Sequence, residues 1–185
     1  MATTTATILI IVLIVVVAAL AILVWMLYQQ QRSRKLRSQF GPEYERAYRQ
    51  YGGARKAEEA LEARQKRVEK IHIHSLTTAE RDRFADLWHG VQSRFVDDPA
   101  GSMSEADRLV VDLMQARGYP MTDFERRAED ISVDYPYVVS NYRTAHAIAV
   151  SDQDGSVSTE ERRKALVCYR DLFDELLERH AAPRR

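Results

Sequence analysis

The stretch ILIIVLIVVVAALAILVWMLYQQQRSRKLR, from Ile8 to Arg37, decides the architecture of this chain. Its apolar part, residues 8–28, contains no charged side chain. At about 1.5 Å per residue, a helix of this length spans roughly 31 Å, which matches the hydrocarbon core of a bilayer. Because lipid offers no hydrogen bonds to a peptide backbone, such a run inserts as a helix. We therefore predict a transmembrane helix over residues 8–28.

The flanks of the apolar run favour a retained anchor over a cleaved signal peptide. A signal peptide has a basic start, an apolar core of about 7–15 residues and a small-residue cleavage site. Here MATTTAT precedes the run without a basic side chain, and YQQQRSRKLR follows it. Trp25 and Tyr28 end the run, where amphipathic rings favour the headgroup level. The run contains neither glycine nor a charged residue, so we expect a simple tether.

A basic collar after the apolar run predicts the orientation of the anchor. Its members are Arg32, Arg34, Lys35 and Arg37. Because positive side chains stay on the cytoplasmic side, we expect a single-pass plasma-membrane protein with residues 1–7 outside. The part from about residue 29 onward is then cytoplasmic, which agrees with the single cysteine of the chain. The alternative is a misread signal peptide with an exported domain.

The charge distribution separates the collar from the distal part of the chain. Lys and Arg balance Asp and Glu, 27 against 27. Residues 32–70 carry 12 basic and 6 acidic side chains, whereas residues 71–185 carry 15 basic and 21 acidic ones. The basic part is suited to anionic lipid, and the acidic part disfavours nucleic acid. We expect the lipid bilayer as a partner, and no nucleic acid.

Two helices are predicted in a basic juxtamembrane stalk over residues 29–74. The first, in FGPEYERAYRQYGG, begins near Pro42 and stops at Gly52–Gly53. The second, in ARKAEEALEARQKRVEKI, has a short heptad seam that Arg64 interrupts. It is either a solvated stalk or a helix packed on its own domain.

The stalk also supplies the candidate contacts for a protein partner or for self-association. The tyrosine stripe of the first helix is suited to headgroups, to a partner or to packing on the domain. The candidate partner-contact residues are this stripe and the seam: Tyr44, Tyr48, Tyr51, Leu61 and Val68.

Residues 75–180 are predicted to form a bundle of four or five helices, with a tail over residues 181–185. Capping boxes mark helix starts at Thr77/Glu80, Thr122/Glu125 and Ser158/Glu161. A further helix restarts at Pro136, and apolar residues recur at helical spacing throughout. The fold class is therefore all-α: an N-terminal transmembrane helix, a charged helical stalk and a distal four- to five-helix bundle.

Two strings suggest metal binding but favour simpler interpretations. SDQDGSVSTEE resembles a calcium loop with Asp152, Asp154 and Glu161 as ligands, yet Val150 then occupies the first ligand position. We interpret it as an Asp-Gly turn followed by a helix cap. IHIHS pairs His72 with His74 and would need further ligands from elsewhere in the chain, for which the candidates are His89, His146, His180 and Cys168. A linker with buried isoleucines is the preferred interpretation.

The remaining reactive side chains also have structural interpretations. His146 lies on an apolar helix face and is expected to be a core histidine, and Cys168 an inert thiol. Asp97–Asp98 before Pro99 is explained by helix capping. The chain has no P-loop, G-x-S-x-G or G-x-G-x-x-G motif. We predict no catalytic residue, no metal and no cofactor.

Three strings resemble a group of bacterial single-span membrane proteins with a small helical domain. They are LRSQFGPEYERA, RFVDDPAGSMSEADRLV and RGYPMTDFERRAEDISVDYP. The resemblance covers about Leu36 to Leu177. It implies a bacterial source and the plasma membrane, and it assigns no functional residue.

Three functions remain open on this basis. The first is a non-catalytic, membrane-tethered adaptor domain for a protein partner. The second is a ligand-sensing bundle with His146, Tyr142 or Trp88 lining a pocket between helices. The third is a metal-dependent enzyme that uses the histidines.

Overall fold

Helices make up most of the part of the chain that the structure describes. The computed structural model describes residues 2–152 and 155–178, and the side chains of these from residue 13 onward. Within these residues there are eight α-helices and no strand, which confirms the all-α fold class. The helices are α1 (Ala2–Phe40), α2 (Pro42–Tyr51), α3 (Ala54–Val68), α4 (Thr78–Arg94), α5 (Pro99–Ala116), α6 (Phe124–Asp134), α7 (Val139–Ser151) and α8 (Thr159–Glu178).

The chain divides into two compact units, Met1–Gln39 and Phe40–Arg185. The first unit is α1 without its last residue. Between Leu13 and Phe40 an 18-residue window reaches a mean hydropathy of 2.2, and none of that window is buried. α1 is therefore long and apolar enough to cross a membrane.

The second unit is a helical bundle whose main apolar core is formed by α4 to α8, while α2 and α3 bury apolar side chains outside that core. α8 packs against α5, α7 and α4, while α3 packs against α2 and α6. At the α4–α8 contact the rings of Trp88 and Phe173 stack with their centroids 4.6 Å apart. α4 to α8 are the five helices expected in the distal bundle. Because α2 and α3 lie in the same compact unit, the helices predicted as a stalk are part of this domain.

Helix ends follow local hydrogen-bonding chemistry at most of the expected positions. Thr77 and Glu80 form a reciprocal capping box on α4, and Ser158 and Glu161 form another at α8. α2 begins at Pro42 and ends at Gly52, whose φ of 71° suits a left-handed glycine cap. Asp98 caps α5 by accepting from the Gly101 N–H at 2.9 Å.

Two helix starts differ from the sequence prediction. The cap of α6 is Asp123, which accepts from the Arg126 N–H at 3.0 Å, and not Thr122. The Thr122 N–H donates to the Pro120 carbonyl in a turn, so the helix begins later. α7 begins at Val139 and not at Pro136, because the residues between them form a turn.

Candidate functional site

The predicted anchor residues lie along α1. Trp25 and Tyr28 are exposed by 61% and 66%. The collar residues occupy the last turns of α1, where Arg34, Lys35 and Arg37 are exposed and Arg32 is half-buried. The backbone of Ile8 belongs to α1, but its side chain lies outside the described residues. Large apolar side chains from Leu13 to Tyr28 are 49% to 66% exposed, which is far more apolar surface than a water-soluble helix presents.

The predicted partner contacts are divided between the core and the surface. Tyr44, Leu61 and Val68 are at most 1% exposed, because α2 and α3 pack against each other and α3 against α6. Their burial removes these three side chains from any surface that a partner could reach. Tyr48 is 42% exposed and Tyr51 is half-buried. Of the five predicted contacts, only Tyr48 and Tyr51 remain accessible.

Arg64, the interruption in the heptad seam, is buried with a side-chain exposure of 3%. Its Nη1 lies 3.5 Å from Glu43 Oε2, and its Nη2 donates to Glu129 Oε1 at 3.1 Å. Glu43 comes from α2 and Glu129 from α6. A buried charge is tolerated when opposite charges and hydrogen bonds surround it. Arg64 thus joins three helices through charge.

Two further arginines extend this arrangement, which we call the ion network. Arg67 donates to Asp130 at 2.7 Å and to Glu129 at 3.0 Å. Arg143 of α7 donates to Glu125 at 2.6 Å and lies 3.5 Å from Glu43. The ion network connects α2, α3, α6 and α7. Its three arginines pair with four carboxylates, so the ion network holds these four helices together through ionic contacts.

A groove of about 570 Å³ runs along the exposed face of α4 beside α5. Its size falls within the range of natural binding pockets. Leu87, which is 44% exposed, gives it an apolar centre. Its lining residues are Ala79, Asp82, Arg83, Asp86, Leu87, Gly90, Arg94 and Glu105. We call it the α4 groove.

The charges of the α4 groove are partly neutralised within the chain. Arg94 pairs with Glu105 across the groove, and the Arg83 guanidinium lies 5.4 Å from the centroid of the Phe84 ring. Asp82 and Asp86 are exposed one helical turn apart on α4. These carboxylates have no ion-pair partner among the described residues, and they share the α4 side of the groove with Arg83.

A polar site lies where α5, α6, α7 and α8 meet, and we call it the Asp107–His146 site. Its members are Asp107, Phe124, Arg127, Tyr142, His146 and Tyr169. Tyr169 donates to Asp107 Oδ1 at 2.9 Å. His146 Nδ1 lies 3.9 Å from the same oxygen, too far for a hydrogen bond. The side chains of His146 and Asp107 are 27% and 28% exposed.

Aromatic packing surrounds these polar groups. The imidazole of His146 stacks on the Phe124 ring with centroids 3.5 Å apart and an interplanar angle of 11°. Tyr142 is fully buried, and its centroid lies 5.0 Å from that of Phe124. Its Oη makes no hydrogen bond of ordinary geometry within the described residues, although the Arg127 guanidinium lies close enough to act on its pKa. His146 therefore lies at the edge of the core with a side-chain exposure of 27%, and its Nδ1 makes no hydrogen bond, which differs from the core histidine that was predicted.

Burial shifts the pKa values of these groups away from their charged forms. Burial lowers the pKa of His146, opposed by the nearby Asp107 carboxylate and assisted by the Arg127 guanidinium. Burial also raises the pKa values of Tyr142 and Tyr169, and Asp107 raises that of Tyr169 further. These shifts keep the imidazole and both phenols neutral around a single carboxylate.

The candidate metal strings have ordinary structural roles where they are described. Arg162 donates to both carboxylate oxygens of Asp152, at 2.7 and 2.6 Å. His72 and His74 are exposed in an irregular connection after α3, where Ile73 packs against the core. The described residues contain no group of three His, Cys, Asp or Glu placed for a metal. The candidate ligands Asp154 and His180 lie outside the described residues.

The remaining candidates are placed apart from one another. Trp88 stacks on Phe173 at the α4–α8 contact and is not a member of the Asp107–His146 site. His89 is exposed on α4. Cys168 is 9% exposed, and burial raises the pKa of its thiol. Tyr142 and His146, which with Trp88 are the candidates for lining a pocket between helices, both lie in the Asp107–His146 site.

Sequence reasoning missed the residues that complete these sites. Arg64 had a recognisable signal, because a charged residue at an apolar seam position needs buried partners. Asp107 and Arg127 lie at the edges of apolar helix stripes, where the sequence pattern predicts that a charged side chain is exposed to solvent. Asp82, Asp86 and Leu87 all lie on α4, and the groove beside them is completed by Glu105 of α5.

No protein-family model matches this chain, and no match is found among the curated proteins or the solved structures.

Proposed function

We propose that this protein is a non-catalytic, membrane-tethered interaction domain that holds a protein partner at the plasma membrane. The observation that carries the tether is the exposed apolar surface of α1, with large side chains 49% to 66% exposed from Leu13 to Tyr28. Insertion into a bilayer would remove that surface from water and satisfy its backbone within the helix. The basic collar supports an orientation with the N-terminus outside and the domain in the cytoplasm.

The α4 groove is the proposed docking surface. Its occupant is a cationic amphipathic helix of the partner. Leu87 offers an apolar contact at the centre, and Asp82 and Asp86 offer two carboxylates one turn apart. Lys or Arg residues at matching spacing on the partner would complement them, while its apolar face covers Leu87.

A photo-crosslinking amino acid at position 87 tests the docking surface in native membranes. We expect an adduct at position 87 that carries the mass of a different protein. The matched control is the same amino acid at position 150, because Val150 is also exposed, by 50%, but lies on α7. The charge reversals Asp82→Lys and Asp86→Lys should abolish the adduct. Equal adducts at both positions, or an adduct of two copies of this chain, would refute the proposed partner.

The topology is tested separately, by thiol labelling of intact cells. Cys168→Ser removes the native thiol, and Arg184→Cys introduces a new one. An impermeant maleimide should label the new thiol only after lysis. Labelling before lysis would place the domain outside the cytoplasm and would overturn the orientation, whatever the crosslinking shows.

A ligand-sensing bundle is the second candidate function. The observation that favours it is the polar Asp107–His146 site, where the buried Tyr142 hydroxyl lies beside the Arg127 guanidinium and the His146 side chain keeps an exposure of 27%. Polar groups that converge beside apolar side chains are typical of small-molecule sites. Thermal stabilisation by a small molecule that is lost in Tyr142→Phe would support this function over the adaptor.

A further inference from the structure

The charges that stay open in the α4 groove define what can bind there. Arg94 and Glu105 pair with each other, so the remaining charges of the lining are the carboxylates of Asp82 and Asp86 and the guanidinium of Arg83. The two carboxylates have no ion-pair partner among the described residues, and Leu87 beside them is 44% exposed. The groove therefore favours an occupant with positive charge and small apolar groups.

The chain carries a segment of this composition directly after α8. Residues 179–185, RHAAPRR, contain Arg179, Arg184 and Arg185, two alanines and no acidic side chain. We call these residues the C-terminal arm, and they lie outside the described residues. α8, which precedes the arm, is described as far as Glu178. The arm offers three guanidiniums to a groove that has two unpaired carboxylates and one unpaired guanidinium.

The end of α8 lies at the end of the bundle where the α4 groove begins. The Arg117 guanidinium, at the C-cap of α5, donates to the Leu176 carbonyl in the last turn of α8. The Arg117 carbonyl accepts from the His74 N–H at 3.1 Å, shortly before α4 begins at Thr78. Ala79, in the first turn of α4, is the first groove residue along that helix. One arginine thus connects the end of α8 to the approach to α4.

The C-terminal arm is long enough to lie along the groove from that end. Its seven residues span up to about 24 Å when extended, at roughly 3.4 Å per residue. Along α4, the distance from Ala79 to Asp86 is about 10 Å of helix. A segment of the same chain also has a local concentration in the millimolar range. Even the weak ion pairs of an exposed groove are then formed for part of the time.

We propose that the C-terminal arm binds the α4 groove of its own chain and competes there with the partner helix. Arg184 and Arg185 pair with Asp82 and Asp86, and the alanines of the arm lie against Leu87. This regulation rests on the proposed adaptor function, because the arm occupies the docking surface until a partner displaces it. The contact between the arm and the groove itself does not depend on a partner.

A photo-crosslinking amino acid in place of Ala182 tests the contact in the purified full chain in lipid nanodiscs, without a partner. The substitution leaves every side chain of the groove unchanged. We expect an adduct within one chain that joins position 182 to residues 79–94, identified by mass spectrometry of the digested protein. Mixing ¹⁵N-labelled and unlabelled chains separates this adduct from one between two copies. High salt should lower its yield several-fold, because exposed ion pairs are screened.

An exchange of charges tests whether the groove carboxylates hold the arm. Asp82→Lys combined with Asp86→Lys should lower the yield of the adduct several-fold. Adding Arg184→Glu and Arg185→Glu to the same chain should restore it, since each pair then has opposite charges again.

The matched control changes two exposed cations of α8 instead of the arm. Lys164→Glu combined with Arg170→Glu alters the net charge by the same amount as the change in the arm and should leave the adduct of the wild-type groove in place. An adduct that maps to the acidic side chains of α8 itself would refute the proposal. An adduct between two copies, or no adduct in the otherwise wild-type chain, would refute it as well.

A second measurement separates this proposal from the adaptor function. In native membranes, deletion of residues 179–185 should raise the yield of the partner adduct at position 87 several-fold. A partner adduct that the deletion leaves unchanged would refute the competition and support the adaptor. An arm adduct in nanodiscs without any partner adduct in membranes, with or without the arm, would overturn the adaptor and support the arm in its groove.

Discussion

Replacing Arg64 with methionine should destabilise the second unit by about 3 kcal/mol. Methionine keeps most of the packing of the side-chain stem but leaves the 3%-exposed Glu43 without its closest partner on α3. Breaking a buried pair from one side costs about 3–5 kcal/mol. We place the effect at the lower end because Arg143 lies 3.5 Å from Glu43 and Arg67 still holds Glu129 at 3.0 Å.

Urea unfolding of the full chain in detergent micelles measures this effect. Trp88 fluorescence reports on the second unit once Trp25→Phe removes the other tryptophan. With a urea slope of about 2 kcal/mol per molar, a loss of about 3 kcal/mol lowers the midpoint by roughly 1.5 M. High salt should leave most of the loss in place, because the pair is shielded from solvent.

A double-mutant cycle separates the ion pair from simple packing. Arg64→Met combined with Glu43→Gln should cost less than the sum of the two single changes, by about 1–2 kcal/mol. The exposed pair of Arg55 and Glu59 is the control, with side-chain exposures of 88% and 54%. Arg55→Met should change stability by less than about 1 kcal/mol. An Arg64→Met variant as stable as Arg55→Met would refute the role of the ion network.

Three further predictions concern local features of the second unit. Thr77→Ala should cost about 1 kcal/mol in the same unfolding assay, since it removes the capping box of α4. Gly118→Ala should cost about 2–4 kcal/mol of unfolding free energy, because φ is +90° and a Cβ would overlap the His72 carbonyl. The control is Gly52→Ala, which has open space around it and should cost only about 1–2 kcal/mol. In the folded chain, Cys168 should react with iodoacetamide at pH 8 on the order of tenfold more slowly than in the urea-unfolded chain, because burial raises its thiol pKa. The rate in the folded chain should rise at higher pH. Equal rates in the two states would contradict this prediction.

Local chemistry explains where sequence reasoning about the fold succeeded and where it slipped. The boxes at Thr77 and Ser158 involve groups three residues apart, so their outcome depends on almost nothing distant. The predicted cap of α6 was wrong by one residue, because the Thr122 N–H donates to the Pro120 carbonyl in a turn.

The candidate sites depended much more on distant residues. Tyr142 and His146 could be placed together because they lie one helical turn apart on α7. Asp107 joins them from α5 through the packing of α5, α7 and α8. The α4 groove has the same origin in part, since its Arg94–Glu105 pair joins α4 to α5, whereas Asp82 and Asp86 both lie on α4.

The sequence by itself determined the helical class, the apolar anchor candidate and most helix ends, because periodicity and capping act over three or four residues. Only the tertiary structure decided what the seam of α3 contacts. In the sequence, Arg64 interrupts the heptad pattern of α3. In the structure it pairs with Glu129, 65 residues further along the chain. A buried charge gains its stabilisation from whichever opposite charges the fold brings within a few ångströms. That proximity is a property of helix packing, and no local pattern of residues carries it.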